Sequence, residues 1–265
     1  MTEAVHAPGR LDVTSALDGA ALVLTINNPD RANALDDAIL TALPSALAAT
    51  AVGNARVVLL TGAGSTFSSG VALDAGPPET QIHELRRREQ LLMEAVRAVE
   101  ACERPVIAVV NGAAMGGALE LAVACDWRVA ARAARFGMPP ARLGVVYSGP
   151  GLGRFVALIG PAHARELFLT ARSVDATRAA EIGLVNAVYE TEALWAAALD
   201  DAAAISALAS TAIAGTRAII RSMAPVADDR IAEDWRERAY AHTDLVEGLT
   251  AFAERRVPRF GGAIP

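Results

Sequence analysis

Residues 105–125 carry one charged side chain, Glu120, in an apolar run broken only by Asn111, Gly112, Gly116 and Gly117. The run Val106-Ile107-Ala108-Val109-Val110 reads as a buried strand, and it feeds a glycine-rich turn that opens a helix ending near Cys125. Such a turn bares backbone N–H groups, and the helix N-terminus reinforces them, so it holds a phosphate, a carboxylate or a developing oxyanion. Glu120 follows Gly117 by one helical turn, which places a carboxylate where an acid or base is useful. The plainer reading of Glu120 is a helix carboxylate satisfied in a polar pocket or in a salt bridge between subunits.

The glycine spacing discriminates among these chemistries. Gly112, Gly116 and Gly117 do not form GxGxxG, and the strand lies far from the N-terminus where dinucleotide-binding units begin. No Lys-Ser or Lys-Thr follows the glycines, which excludes a P-loop. GxSxG is missing, and His6, His83, His163 and His242 sit in no triad context. The third chemistry is an oxyanion hole for a thioester carbonyl.

The elements that must position these residues alternate between strand and helix. Residues 22–27 read as a strand closed by Asn28-Pro29-Asp30, residues 36–49 as a helix interrupted near Pro44, and residues 57–61 as a strand buried on both faces. Residues 67–70 read as a short extended piece. Residues 80–102 form an amphipathic helix with Leu85, Leu92, Val96 and Val99 on its apolar stripe and Glu84 with Arg88 as a solvated i,i+4 pair. Residues 127–130 add a strand. Beyond Leu194 the pattern is Ala-rich helix only, over 195–222 and again over 228–252, so residues 1–194 are a core and 195–265 a helical region. The fold class is α/β with crossovers.

Composition narrows the partners. The 265 residues are 53% hydrophobic and 20% charged, which excludes disordered and low-complexity chains. Lys and Arg number 24 against 30 Asp and Glu, a net charge of −6 that offers no footprint for nucleic acid. Cys102 and Cys125 suggest neither a zinc site nor a disulfide framework, and a reducing cytoplasm is expected. The first ten residues lack the pattern of a signal peptide, and no membrane span is expected in residues 105–125 because polar residues and glycines interrupt them. No metal or redox cofactor is expected.

Residues 104–122, with Ala113-Ala114-Met115-Gly116-Gly117-Ala118-Leu119-Glu120 at their centre, resemble the crotonase (enoyl-CoA hydratase/isomerase) family. So do Phe67-Ser68-Ser69-Gly70-Val71, like its first oxyanion loop, and Arg165-Glu166-Leu167-Phe168 with Glu181-Ile182-Gly183-Leu184-Val185-Asn186, like its later helix and turn. Residues 247–260 look like its closing signature, so nearly the whole chain is covered in order. The resemblance implies a spiral of ββα units with a C-terminal helical subdomain, assembling as a homotrimer or a dimer of trimers, and an acyl-CoA thioester as substrate. It also implies that coenzyme A enters only as part of that substrate. The oxyanion donors it implies are the N–H groups of Val71 and Gly117, with Glu120 as acid/base. Arg31, Ala32 and the loop Val71, Ala72, Leu73, Asp74 would border the nucleotide and pantetheine, next to Ser69 and Gly116, with Phe252 and Arg256 reaching coenzyme A from a neighbouring subunit.

The chain departs from the family pattern at four positions. Pro140 stands where hydratases carry a second glutamate, and Ser148 where some dienoyl isomerases and dehalogenases carry a carboxylate. Tyr147 is similar to the methylmalonyl-CoA decarboxylase branch, yet Val71 stands where that branch has a His. For Tyr147 a pocket-wall role weighs evenly with a functional one. A single carboxylate suits double-bond isomerisation, which is the favoured reaction. Decarboxylation of a malonyl-type thioester, with Tyr147 orienting the leaving carboxylate, and acyl-CoA binding without catalysis are the alternatives. Asp74 reads as solvent-facing or close to pantetheine, Asp126 as structural, and Trp127, Trp195 and Trp235 as packing or interface anchors.

Overall fold

The computed structural model describes residues 7–74, 76–223 and 229–260; the readings that fall on residues 1–6, His6 among them, and on Asp228 lie outside these. β1 (Arg10–Ala16) pairs antiparallel with β2 (Ala21–Asn27). α1 (Asp37–Ala48) follows, capped by Asp36, whose carboxylate accepts the Ile39 N–H at 3.1 Å. Then come β3 (Val57–Gly62), α2 (Pro78–Ala101), β4 (Val106–Val110), the two-residue β5 (Ala114–Met115), α3 (Gly117–Ala124) and β6 (Trp127–Ala131). β7 (Arg135–Gly137) leads through a 3-10 turn (Pro140–Leu143) to α4 (Gly149–Thr170), β8 (Ser173–Asp175), α5 (Ala176–Glu181) and β9 (Ala187–Tyr189). α6 (Thr191–Ser206), α7 (Ser210–Ser222), α8 (Asp229–Tyr240) and α9 (Thr243–Ala253) close the described chain.

A six-stranded sheet runs β1-β2-β3-β4-β6-β9, parallel except at β1, and a three-stranded sheet runs β5-β7-β8. Every residue of β3 and β4 is buried, as a parallel strand covered on both faces requires. Their side chains divide by the two-residue period: Val58, Leu60, Val106, Ala108 and Val110 join the core with α1, α2, α3 and α4, while Val57, Leu59, Ile107 and Val109 pack under α6 through its Leu194, Ala198 and Ala202. Leu194 therefore lies inside a helix seated on the sheet. At the other end, Leu245 and Leu249 of α9 pack on Leu85 of α2.

Residues 67–70, read as a short extended piece, carry an isolated bridge from Ser68 to Ala114. Two local expectations are corrected. α1 runs through Pro44 without a break. The pair Glu84–Arg88 does not form: Glu84 binds Arg87 three residues on, and Arg88 is buried, donating to Asp37, Asp74 and the Ala72 carbonyl. Arg88 takes that course because a buried guanidinium needs several acceptors, and the loop after Val71 supplies them. Residues 105–125 resolve into β4, the turn, β5 and α3; among the described residues no single helix is long and apolar enough to cross a membrane.

Cys102 and Cys125 are free and buried, and burial pushes the Cys125 thiol up to about 12. Asp126 accepts the Val106 N–H at 2.7 Å and pairs with Arg217 at 2.5 Å, a structural role. Trp195 and Trp235 are exposed on the helical region.

Arg128 on β6 is 2% exposed and donates to the carbonyls of Leu184 and Cys125 at 2.8 and 3.0 Å and, more loosely, to those of Ala122 and Val123 and to Asn186. It holds the C-terminal end of α3 against the segment before β9. Replacing Arg128 with Ala strands these buried acceptors, so denaturant unfolding is expected to show a loss of about 3–5 kcal/mol.

Candidate active site

The loops after β3 and β4 are stitched together. Ser68 N–H donates to the Ala113 carbonyl at 2.9 Å, and Met115 N–H returns a 3.1 Å bond to the Ser68 carbonyl. Val71 is tied to the residue before α1's cap by a second bridge, with Leu35 N–H on the Gly70 carbonyl and Ala72 N–H on the Leu35 carbonyl. Gly116 adopts φ +53° and ψ −127°, a conformation open in practice to glycine, as the chain turns into α3. A Cβ at Gly117 would lie 2.7 Å from Leu92 Cδ2 and 2.8 Å from Val71 Cγ2, so a side chain there would have to displace both. Val71 and Gly117 thus sit side by side, and no hydrogen bond among the described residues uses either N–H.

Both residues line a cavity of about 540 Å³, large enough for a sizeable ligand. Arg31, Ser69, Ala72, Leu73, Gly116, Pro140, Tyr147 and Phe252, all singled out in the sequence, line it as well, joined by Leu85, Glu89, Leu92 and Arg142. Phe252 comes from this chain's own α9. Ala32 sits just behind, left-handed at φ 50°, with its carbonyl accepting the Ser69 N–H. Asp74 is half exposed and bound to Arg31 at 2.9 Å and Arg88 at 2.5 Å; burial works to raise its pKa, but these two guanidiniums hold it below the usual carboxylate value. Arg256 is not part of the cavity wall; it binds Glu247 and Glu254 on the surface. Among the described residues no group of three or more His, Cys, Asp or Glu could hold a metal.

Arg31 owes its place to two asparagines. Asn28 Nδ2 donates to the Ala34 carbonyl, and the buried Asn33, itself left-handed, donates to the Ala63 and Thr66 carbonyls. The knot locks the loop after β2 onto the loop after β3, from which Arg31 Nη2 reaches the Leu73 carbonyl at 2.8 Å.

Glu120 is 3% exposed and stands behind the wall. Its Oε2 accepts the Tyr147 hydroxyl at 2.6 Å, and its Oε1 accepts Arg154 Nη1 at 3.1 Å. Arg154 in turn binds Glu100 at 2.6 and 3.0 Å, so Tyr147, Glu120, Arg154 and Glu100 form one hydrogen-bonded chain that runs from the cavity wall through the buried Glu120 to the part-exposed Glu100. Burial pushes Glu120 above its ordinary pKa against the pull of Tyr147 and Arg154, and burial next to Glu120 pushes the Tyr147 phenol well above its own. The group of this chain that faces the cavity is the phenol. Pro140 is buried at the start of its turn and presents no ionisable group there.

Sequence reasoning missed Glu89. It lies on α2 between Leu85 and Leu92 in the cavity wall, and its Oε2 accepts the Tyr240 hydroxyl at 2.5 Å and Arg236 Nη2 at 2.7 Å. Burial raises its pKa, outweighing Tyr240 and Arg236. The signal was in the pattern: Leu85, Glu89, Leu92 and Val96 share one helical stripe, so a carboxylate interrupts an apolar face.

Residues 17–263 match the family model for enoyl-CoA hydratase/isomerase. The chain belongs to that family. It is 36% identical over 245 residues to a crotonyl-CoA hydratase of Syntrophomonas wolfei, covering 90% of this chain and 93% of the relative. It is 30% identical over 259 residues to a peroxisomal Delta(3,5)-Delta(2,4)-dienoyl-CoA isomerase of Arabidopsis thaliana, covering 92% and 93%. A solved methylmalonyl-CoA decarboxylase in complex with 2-nitronate-propionyl-CoA superposes with a TM-score of 0.87 at 28% identity, over 97% of this chain and all of that one. The protein is accordingly a crotonase-fold α/β enzyme of the hydratase/isomerase family, as its motifs implied.

Tyr147→Phe removes a bond that holds the Glu120 pKa down, so this family member is expected to keep more of Glu120 protonated at neutral pH. The protonated-carboxyl band in the infrared difference between Tyr147→Phe and the Tyr147→Phe/Glu120→Gln double variant should be stronger than in the corresponding pair with Tyr147 intact. Stability should fall by about 1–3 kcal/mol, because a buried acceptor loses its donor.

Proposed function

We propose that the protein binds an acyl-CoA thioester, holds its carbonyl oxygen with the N–H groups of Val71 and Gly117, and expels CO2 from a malonyl-type acyl group to leave an enolate. Two adjacent unengaged N–H groups, one of them at the start of α3, are suited to a developing oxyanion, where each donor is worth roughly 10²–10³ in rate. Arg31 and the loop 71–73 lie in the same wall, in reach of the anionic and polar parts of a nucleotide thioester.

The observation that carries this reading is the 2.6 Å bond between Tyr147 and Glu120. Glu120 lies behind the cavity wall with Tyr147 between it and the cavity, each of its oxygens already accepting a hydrogen bond, and Pro140 presents no ionisable group. Hydration or isomerisation through Glu120 needs a carboxylate oxygen at the substrate carbon. Decarboxylation needs the oxyanion donors and a hold on the leaving carboxylate. The raised pKa of Glu120 supplies the latter: once protonated, it donates to the Tyr147 oxygen, and the phenol proton is released toward the cavity. The similarity to the methylmalonyl-CoA decarboxylase supports the same choice. Double-bond isomerisation is the second reading, supported by Glu89, a carboxylate that does line the cavity, and by the likeness to the dienoyl-CoA isomerase. We read the exposed Leu208, Ile219, Ile220 and Met223 as the apolar surface that a homo-oligomer would cover, and the trimer or hexamer remains part of the proposal.

The test is incubation with methylmalonyl-CoA, 2-enoyl-CoA and 3-enoyl-CoA, each followed by chromatography with mass detection. Loss of CO2 from the first is expected, with Tyr147→Phe slower by about 10- to 100-fold, the value of a hydrogen bond to a charged group. The rate should decline as pH rises through the raised Glu120 pKa, because the ionised carboxylate recaptures the phenol proton. Gain of water, or a shifted peak of unchanged mass, with methylmalonyl-CoA untouched, would replace decarboxylation by hydration or isomerisation.

A further inference from the structure

The enolate left by the proposed step needs a proton at its α-carbon, and Glu120 is walled off from the cavity. Glu89 is not. Its side chain is 17% exposed, and the residue lines the cavity. Its two oxygens differ: Oε2 is fixed by Tyr240 and Arg236, whereas Oε1 takes no hydrogen bond from any described residue. Leu92, the next cavity-facing residue on α2, lies against Gly117, so Glu89 sits about one helical turn from the neighbour of that oxyanion donor. Tyr147, which binds Glu120, lines the same cavity as Glu89.

A purely structural ion pair between α2 and α8 would engage both oxygens or turn them to solvent. Here one oxygen is tied down, the other takes no hydrogen bond from a described residue, and the residue stands in the cavity wall between Leu85 and Leu92.

We propose that Glu89 is the proton-transfer residue of this site, its Oε1 delivering the α-proton to the bound enolate, with Tyr240 and Arg236 of α8 holding it in register. This rests on the enolate reading above. In the forward step the Glu89 O–H bond breaks, a C–H bond forms at the α-carbon, and the enolate electron pair restores the thioester C=O. Glu89 is left as a carboxylate and is reprotonated by solvent from the cavity. In reverse, on a saturated thioester, the carboxylate takes the α-proton and the pair moves to the oxygen held by Val71 and Gly117. That reverse step makes the α-hydrogen exchange with water.

The experiment uses the full-length protein with acetyl-, propionyl- and butyryl-CoA in D2O, following deuterium at the α-carbon by mass spectrometry. Wild type is expected to wash deuterium in. Glu89→Gln should slow this by at least about 10²-fold, the usual span of general acid–base catalysis, with Glu89→Asp recovering part of the loss and thioester affinity unchanged. The groups around Glu89 are Tyr240 and Arg236 from α8, Arg86 on its own helix, and Tyr147 in the same cavity wall, with Glu120 behind Tyr147. Tyr240→Phe removes a bond that favours the ionised form, so the acid limb of the exchange rate against pH should move upward. That displacement is readable even if Glu89→Gln fails to fold, and a structural staple would not produce it. Exchange in wild type that persists at the same rate in Glu89→Gln, or an unmoved limb in Tyr240→Phe, would overturn the role of Glu89 and leave the enolate reading standing. Absence of exchange in wild type on all three thioesters would overturn both.

Discussion

The site depends on one short stitch between two loops. Ser68 and Ala114 exchange backbone hydrogen bonds through Ala113 and Met115, and this parallel bridge carries the sheet's pairing of β3 with β4 two loops further, past the ends of the strands. Without it, each loop would leave its own polar groups to be satisfied locally. With it, Val71 and Gly117 are brought side by side with their N–H groups spare, which is the state a dense backbone network otherwise eliminates. The glycines follow from this constraint. A Cβ at Gly70, whose φ is +100°, would lie 2.7 Å from the Met115 carbonyl oxygen, so the close approach of the two loops rests on a glycine at the contact.

The stitch is held from outside by charge. Arg88, nearly buried, binds Asp37 on α1, Asp74 beyond Val71 and the Ala72 carbonyl, so one guanidinium ties α1, α2 and the first loop together. Burying a charge is expensive unless it is matched, and here two carboxylates and a carbonyl match it. The C-terminal helices complete the enclosure by a different force. α9 packs Leu245 and Leu249 against Leu85, while α8 sends Arg236 and Tyr240 to Glu89. α2 is therefore shared: its N-terminal half anchors the loop, its middle carries Glu89, and Leu92 lies against Gly117.

Much of this was legible in the chain itself. The apolar runs at 57–61 and 106–110, the glycine turn and the distinctive segment 67–71 pointed to the right strands and to cavity-lining residues from Arg31 to Phe252. Other features depend on long-range contacts and have no local signature. The partner of Arg88 depends on where residues 37 and 74 arrive in space, so an i,i+4 rule chose Glu84 instead. The withdrawal of Glu120 behind Tyr147 depends on α4 delivering Arg154, thirty-four residues away, to its other oxygen. Pro44 stays helical because α1 is pinned along its length by Ile39, Leu40, Leu43 and Leu47 in the core, and tertiary packing outweighs a local propensity. Glu89 left a faint mark, a carboxylate on an apolar stripe, which becomes meaningful once a cavity is known to face that stripe.

The cavity then sets two carboxylates apart by environment alone. Glu120 and Glu89 are both pushed toward the neutral form by burial, and each is countered by a phenol and an arginine: Glu120 by Tyr147 and by Arg154, which is itself paired with Glu100, and Glu89 by Tyr240 and Arg236 of α8. Glu120 lies behind the wall with a bond to each oxygen; Glu89 lines the cavity with both its bonds on one oxygen. On the function proposed above, holding a substrate group and moving a proton would fall to carboxylates with different access to the same space. The position of Pro140 becomes intelligible in that light. A third ionised carboxylate in the same apolar enclosure would add repulsion to two groups already short of compensation, and a proline at that turn leaves the field of the cavity to Glu89 and to the Tyr147–Glu120 pair.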